Sequence, residues 1–165
     1  MSEPPVVCDT TVLLYLGRIG QIDFLPALFT SVCAPEQVAL ELDMGRLLRR
    51  DTVEPRDFPW ATLVSVSQTM IDDLPSNRLG AGEQAVIAYA HAHHGYIAGL
   101  DDFQARQLAE SLKVTVVGTL GILLRAKQAS LIPTVHPLVD AVIGQGFHLS
   151  PELYQDVLRL AGEAP

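Results

Sequence analysis

The chain has 165 residues and carries 11 Lys and Arg against 19 Asp and Glu, which gives a formal net charge of −8. Affinity for a phosphate backbone comes mainly from Lys and Arg that displace counterions, so this balance excludes a nucleic-acid clamp based on bulk positive charge. The length fits a single domain over residues 1–165, and the 48% hydrophobic content is typical of a folded chain with a substantial core.

Signals for membrane insertion, export and disulfide bonding are weak. No apolar run approaches the roughly 18 residues of a membrane span, and the first residues, MSEPP, carry an acid where a signal peptide carries positive charge. We therefore expect a cytoplasmic protein with no membrane partner. Cys8 and Cys33 each lie in a short apolar run, and we expect both to be buried, reduced thiols.

The first half of the chain predicts alternating strands and helices. The run VVC predicts a strand that stops at Asp9, and TTVLLYLGRIG predicts a helix that glycines can end. IDFLPALF is helical in pattern and SVCA predicts a second strand; Pro35 then opens a helix, EQVALELDMG, that we expect to end around Gly45. Residues 43–62 mix charges with two prolines and predict a variable, partly helical excursion, after which LVSV predicts a third strand.

The second half continues the alternation. After a loop, SNRLGAG, a helix runs to Gly95 and the strand YIAGL leads into Asp101; the helix DFQARQLAESL and the strand VTVV follow. Two further helices, TLGILLRAKQAS and PTVHPLVDAVIGQG, precede a C-terminal helix over 150–162 that Ser150 caps. Strands that alternate with helices of this length predict an α/β fold with a parallel sheet covered by helices.

Acidic residues follow two of the predicted strands. Asp9 ends the first, and Asp101 with Asp102 ends a later one; if the strands are neighbours, these carboxylates meet at the same edge of the sheet. Glu41 and Glu83 lie on helices that would flank that edge. Carboxylates this close repel one another unless a cation lies between them, and their oxygens suit Mg²⁺ or Mn²⁺. The pattern favours a divalent-metal site able to assist phosphodiester hydrolysis.

Each of these acids also has a purely structural explanation. An Asp at a strand end is a common turn former, Asp102 can cap the helix that it opens, and Glu83 suits the positive end of its helix. The residue pattern alone leaves both interpretations open. A zinc site is not expected, because His91 and His94 share a helix face with no further ligand nearby.

Five short motifs, in their order and spacing, resemble the PIN-domain family. More specifically, they resemble an uncharacterised bacterial and archaeal branch of predicted nucleic-acid-binding PIN proteins related to VapC-type toxins. The similarity covers nearly the whole chain and implies a three-layer α/β/α sandwich with a central parallel sheet. The motifs are Asp9-Thr10-Thr11, Glu41-Leu42, Leu79-Gly80-Ala81-Gly82-Glu83, Asp101-Asp102 and Val117-Gly118-Thr119-Leu120-Gly121.

The resemblance implies a Mg²⁺- or Mn²⁺-dependent endoribonuclease, and physiologically the toxin of a toxin–antitoxin pair. Its partners would be an RNA substrate and a small antitoxin protein, and a homodimer is compatible with it because dimers are common in the family. The implied catalytic and metal-binding acids are Asp9, Glu41, Glu83 and Asp101, with Asp102 as a further metal ligand and Thr10 as a supporting hydroxyl.

Two positions depart from the family pattern. Glu83 stands where Asp is usual, and Gly99 stands where Thr or Ser usually precedes the fourth acid by two residues. The missing hydroxyl at Gly99 favours an alternative function, a non-catalytic PIN-like module that binds RNA or a protein.

Four arginines are candidate contacts for RNA. Arg106 follows Asp102 by four residues, so it suits either a substrate phosphate or an ordinary helical ion pair with that acid. Arg46, Arg49 and Arg50 form the one compact basic cluster, which suits either RNA contact or a solvated helix face.

Overall fold

The fold is given by a computed structural model that describes residues 3–48 and 53–164. Arg49 and Arg50, two of the predicted RNA contacts, lie outside the described residues.

A parallel sheet of five strands forms the centre of the described structure, in the order β3-β2-β1-β4-β5. The residues of β1, β2 and β4 are buried throughout, which is the pattern of parallel strands covered on both faces. The strands are β1 Val6–Cys8, β2 Val32–Pro35, β3 Ala61–Val64, β4 Ile97–Gly99 and β5 Val116–Val117.

Helices cover both faces of the sheet. One layer is centred on α5, which packs on β1, β2 and β4 and contacts α3, α4 and α6; α1, α2, α7, α8 and α9 contact one another on the other side. The predicted three-layer α/β/α sandwich is therefore confirmed. The helices are α1 Thr10–Arg18, α2 Phe24–Leu28, α3 Glu36–Leu48, α4 Gln68–Asp72, α5 Ala81–Ala92, α6 Phe103–Ser111, α7 Thr119–Gln128, α8 His136–Gly144 and α9 Pro151–Leu160, with a short 3₁₀ turn at Pro55–Asp57.

The register of β1 against β4 brings the acids at the two strand ends together. Cys8 pairs with Gly99, and the backbone N–H of Asp9 donates to the Gly99 carbonyl over 2.9 Å. Asp9 and Asp101 therefore follow adjacent strands at one carboxyl edge, as predicted. Cys8 and Cys33 are buried free thiols, which confirms the prediction for both.

Several predicted boundaries were wrong. Helix α3 continues through Gly45 and ends at Leu48. A single glycine costs a helix only about 1 kcal/mol, and the ion pairs of Arg46 with Asp43 and Glu54 stabilise the extra turn. Strand β3 starts at Ala61, two residues earlier than predicted, and α5 ends at Ala92 rather than Gly95. Helix α4 was not predicted.

Candidate active site

Asp9 is the most deeply buried acid of the site. It directly follows β1 and is only 4% exposed, and no hydrogen-bond partner for its Oδ1 lies among the described residues. Burial, which has the largest effect, and the nearby charges of Glu83, Glu41 and Asp101 together raise the pKa of Asp9 to about 7, although a hydrogen bond from the Thr10 backbone N–H acts in the opposite direction. The carboxyl group is thus held at the edge of the sheet where its charged form is least favourable.

Glu41 reaches from α3 to the same place. Its Oε2 accepts a 2.6 Å hydrogen bond from the Thr10 hydroxyl, and its Oε1 accepts a 2.9 Å bond from the backbone N–H of Gly82. A Cβ on Gly82 would lie 2.8 Å from both Glu41 oxygens and 3.0 Å from Asp9 Oδ1. The two carboxylates therefore face one notch, which is open because residue 82 has no side chain.

Asp101 is held by Thr119, a residue of the last PIN-like motif for which no role was predicted. Thr119, at the start of α7, donates to Asp101 twice: its backbone N–H to Oδ1 at 2.7 Å and its hydroxyl to Oδ2 at 2.8 Å. Thr119 is fully buried, and among the described residues Asp9 is the only other buried polar or charged one. The sequence feature that could have indicated this role is the Gly-Thr pair directly after β5, because β5 pairs with β4 and its carboxyl end lies at the same edge of the sheet.

Glu83 and Asp102 have local structural roles as well as a place in the acidic set. Glu83 Oε1 accepts from the Gly80 backbone N–H at 3.2 Å, and Asp102 Oδ2 caps α6 by accepting from the Ala105 N–H at 2.9 Å. The pKa of Glu83 is nevertheless raised, first by burial and then by the charges of Asp102 and Glu41. Capping and mutual repulsion operate on the same side chains.

The oxygen donors present suit a hard divalent cation. Asp9 offers a buried, unpaired oxygen beside the Gly82 notch, and Glu41 borders the same notch. In the side-chain arrangement seen, no three His, Cys, Asp or Glu residues within 3–48 and 53–164 converge closely enough to hold an ion. The other four acids each accept a hydrogen bond from a group of the protein: Glu41, Glu83, Asp101 and Asp102. The assignment of these acids as metal ligands therefore stays a prediction.

Gly99 has a packing reason to lack a side chain. A Cβ at this position would lie 3.3 Å from both the Cys8 Cα and the Val7 carbonyl oxygen, closer than ordinary van der Waals contact. The glycine lets β4 approach β1, and Thr119 supplies a hydroxyl to Asp101 from the next strand along.

The predicted basic contacts fall into two groups. Arg106 lies on α6 beside Asp101, and among the described residues no carboxylate is within ion-pair distance of its guanidinium group. Arg46 instead pairs with Asp43 and Glu54 and donates to the Val53 carbonyl, so it stabilises its own segment.

The parallel sheet and the acids at its carboxyl edge place the protein in the class of α/β/α proteins with an acidic, oxygen-rich site at the strand ends. A family model described as PIN domain matches residues 5–163, and the chain belongs to the PIN-domain family. PIN domains are generally nucleases that act on nucleic acids and typically use divalent metal ions. Comparison with curated proteins gives no match. Within the described part of the chain, no helix is both long and apolar enough to cross a membrane.

Proposed function

We propose that this protein is a Mg²⁺- or Mn²⁺-dependent endoribonuclease whose acids are Asp9, Glu41, Glu83 and Asp101, with Asp102 as an additional ligand. The observation that carries the proposal is the Asp9 carboxyl group, which is buried, has an unpaired Oδ1 and faces Glu41 across the Gly82 notch. A buried carboxylate without a partner is costly, and a divalent cation would satisfy it.

Residues of the chain would orient both the cation and the RNA. Thr10 and the Gly82 backbone hold Glu41, while Thr119 holds Asp101 on the adjacent strand. When bound, Mg²⁺ or Mn²⁺ would supply an activated water and stabilise charge on the phosphate oxygens. The same cation would reduce the repulsion between these acids and the RNA strand.

A cleavage assay tests the proposal. Purified wild-type protein, Asp9→Asn, Asp101→Asn and the control Asp156→Asn, which changes an exposed acid on α9, are given structured and unstructured RNA with Mn²⁺, Mg²⁺ or EDTA. We expect internal cleavage by wild type and Asp156→Asn with metal only, and a loss of at least 100-fold in the two site variants, because positioning and charge stabilisation fail together. Cleavage that both site variants retain would refute the active-site assignment.

A non-catalytic RNA- or protein-binding module is the second candidate. It is favoured by the hydrogen bonds that Glu41, Glu83, Asp101 and Asp102 accept within the protein, because these bonds give the acids a structural role that needs no metal. The same assay discriminates: RNA binding without metal-dependent cleavage under any of the conditions would establish the module and exclude the enzyme.

We further propose the toxin role that the PIN-domain resemblance implies, and an apolar surface on α3 supports it. Leu40, Met44, Leu47 and Leu48 are 62%, 65%, 78% and 87% exposed and follow one another at helical spacing on the helix that carries Glu41. An exposed apolar stripe of this kind is typical of a protein-interaction surface. We infer that a small antitoxin protein covers it and thereby blocks access to the acids.

Expression of the protein alone and together with a library of small open reading frames from the source genome tests this inference. We expect growth arrest by the protein alone, rescue by the partner, and loss of rescue in Leu40→Ser/Leu47→Ser because the apolar contact is removed. If the partner still rescues growth from the double variant, the assignment of this surface is refuted. A wild-type dimer that the double variant converts to a monomer would identify a second copy as the occupant instead.

A further inference from the structure

A small cavity of about 120 Å³ lies beside Asp101. Arg106 and His148 supply its polar groups in addition to Asp101, and Phe147 and Leu120 are among its apolar ones. This volume is well below the roughly 300 Å³ at which pockets begin to take whole small ligands. The cavity suits one chemical group of a larger ligand that also reaches the acids.

The end of α8 builds one wall of the cavity. Gly146, with a φ of +102°, allows the chain to reverse, and the Phe147 N–H donates to the Val142 carbonyl at 3.1 Å. The Phe147 ring then meets Tyr15 of α1 edge to face, with ring centroids 5.1 Å apart. His148, the next residue along the chain, also lines the cavity.

Gly118, which also lines the cavity, leaves space there because it has no side chain. A Cβ on Gly118 would lie 2.9 Å from both Arg106 Nη1 and Asp101 Oδ1, so the absence of a side chain at residue 118 keeps the space between them free. Gly118 has a φ of −101°, which any residue can adopt, so the glycine is explained by space and not by backbone conformation. Arg106 has no ion-pair partner among the described residues, and its backbone is anchored by the 3.0 Å bond from its N–H to the Asp102 carbonyl.

We propose that this cavity, formed by Arg106, Gly118, Phe147 and His148, binds one backbone phosphate of single-stranded RNA next to the phosphate that is hydrolysed. The inference rests on the proposed function and extends it. The guanidinium fork matches a phosphate in two hydrogen bonds, and a small cavity takes a phosphate but leaves the base outside. The contact fixes the register of the strand without reading its sequence.

Binding of modified RNA in EDTA tests the subsite without any cleavage. The probe is a short fluorescent single-stranded RNA in which one phosphate at a time is replaced by an uncharged methylphosphonate, and affinity is read by anisotropy at several salt concentrations. We expect wild type to lose roughly tenfold in affinity at one position, because one charge-assisted contact is removed. Arg106→Gln should bind the unmodified RNA about as weakly as wild type binds the RNA modified at that position, and modification there should not weaken its binding further. The slope of log affinity against log salt concentration should be smaller by roughly 0.7 in this variant, the value for one phosphate on a single strand.

Lys113→Gln is the matched control, because it removes the same charge from an exposed residue before β5, at the other edge of the sheet. It should retain the position-specific loss. Equal sensitivity of wild type and Arg106→Gln at every position would overturn the subsite, as would an absence of measurable binding at low salt.

Failure of the subsite and failure of the proposed function give different results. Metal-dependent cleavage, together with no phosphate position whose effect on affinity depends on Arg106, would refute the subsite alone. A phosphate position whose effect depends on Arg106, together with no cleavage, would retain the subsite and refute hydrolysis.

Discussion

Replacement of Asp9 by Asn should make the metal-free protein more stable at alkaline pH than the wild type. Burial and neighbouring acids raise the pKa of this carboxyl group from 3.8 to about 7. Between these values the unfolded chain releases the proton while the folded chain keeps it, so the wild-type free energy of unfolding falls as the pH rises and levels off above about 7. At about 1.4 kcal/mol per pKa unit the whole loss is roughly 4 kcal/mol, most of it above pH 5.

The variant carries an amide that does not titrate, so this loss should be absent. Urea unfolding in EDTA at pH 5 and pH 8 measures the difference: the advantage of Asp9→Asn over wild type should grow by roughly 3 kcal/mol between the two conditions. Asp23→Asn, a change to an exposed acid before α2, should show no such growth. An Asp9→Asn advantage that is constant within about 1 kcal/mol would refute the assigned burial and repulsion of this group.

Two further substitutions test the supports of the acids. Gly82→Ala places a Cβ 2.8 Å from both Glu41 oxygens, so metal-dependent cleavage should fall at least tenfold. The melting temperature should not change, because alanine favours the helix and the flexible Glu41 side chain can move away. Gly144→Ala, where a Cβ meets nothing within 4 Å, is its control, and equal activity of the two variants would contradict the notch. Thr119→Val removes the hydroxyl that donates to Asp101 and should lower kcat roughly tenfold with folding retained, as assayed by single-turnover cleavage and thermal unfolding; unchanged kcat would remove Thr119 from the site.

Local patterns in the sequence predicted the sheet and the acids at its edge because both depend on short-range signals. The apolar run before Asp9 and the run before Asp101 each mark a buried strand, and parallel pairing then brings their ends together. Their closeness also required that the two strands be neighbours, a condition that the strand patterns left open and that the sheet order fulfils.

Thr10 was predicted as a supporting hydroxyl and does donate to Glu41, but two other supports of the acids were missed because they depend on contacts between distant segments. Thr119 lies 18 residues from Asp101, and the N–H of Gly82 that binds Glu41 lies 41 residues from it. The extra turn of α3 likewise depends on the contact between Arg46 and Glu54. No periodicity or capping signal carries such information, since these contacts exist only once the sheet has formed.

Binding of Mn²⁺ tests most directly the central claim, that the acids at this sheet edge act together on one divalent cation. Titration calorimetry at pH 8 should show saturable binding by the wild-type protein, and binding weakened at least tenfold in Asp9→Asn and in Asp101→Asn, because each removes a ligand from a shared site. Asp156→Asn should bind as wild type does. Wild-type protein that binds no Mn²⁺, or binding that survives both site substitutions, would contradict the claim.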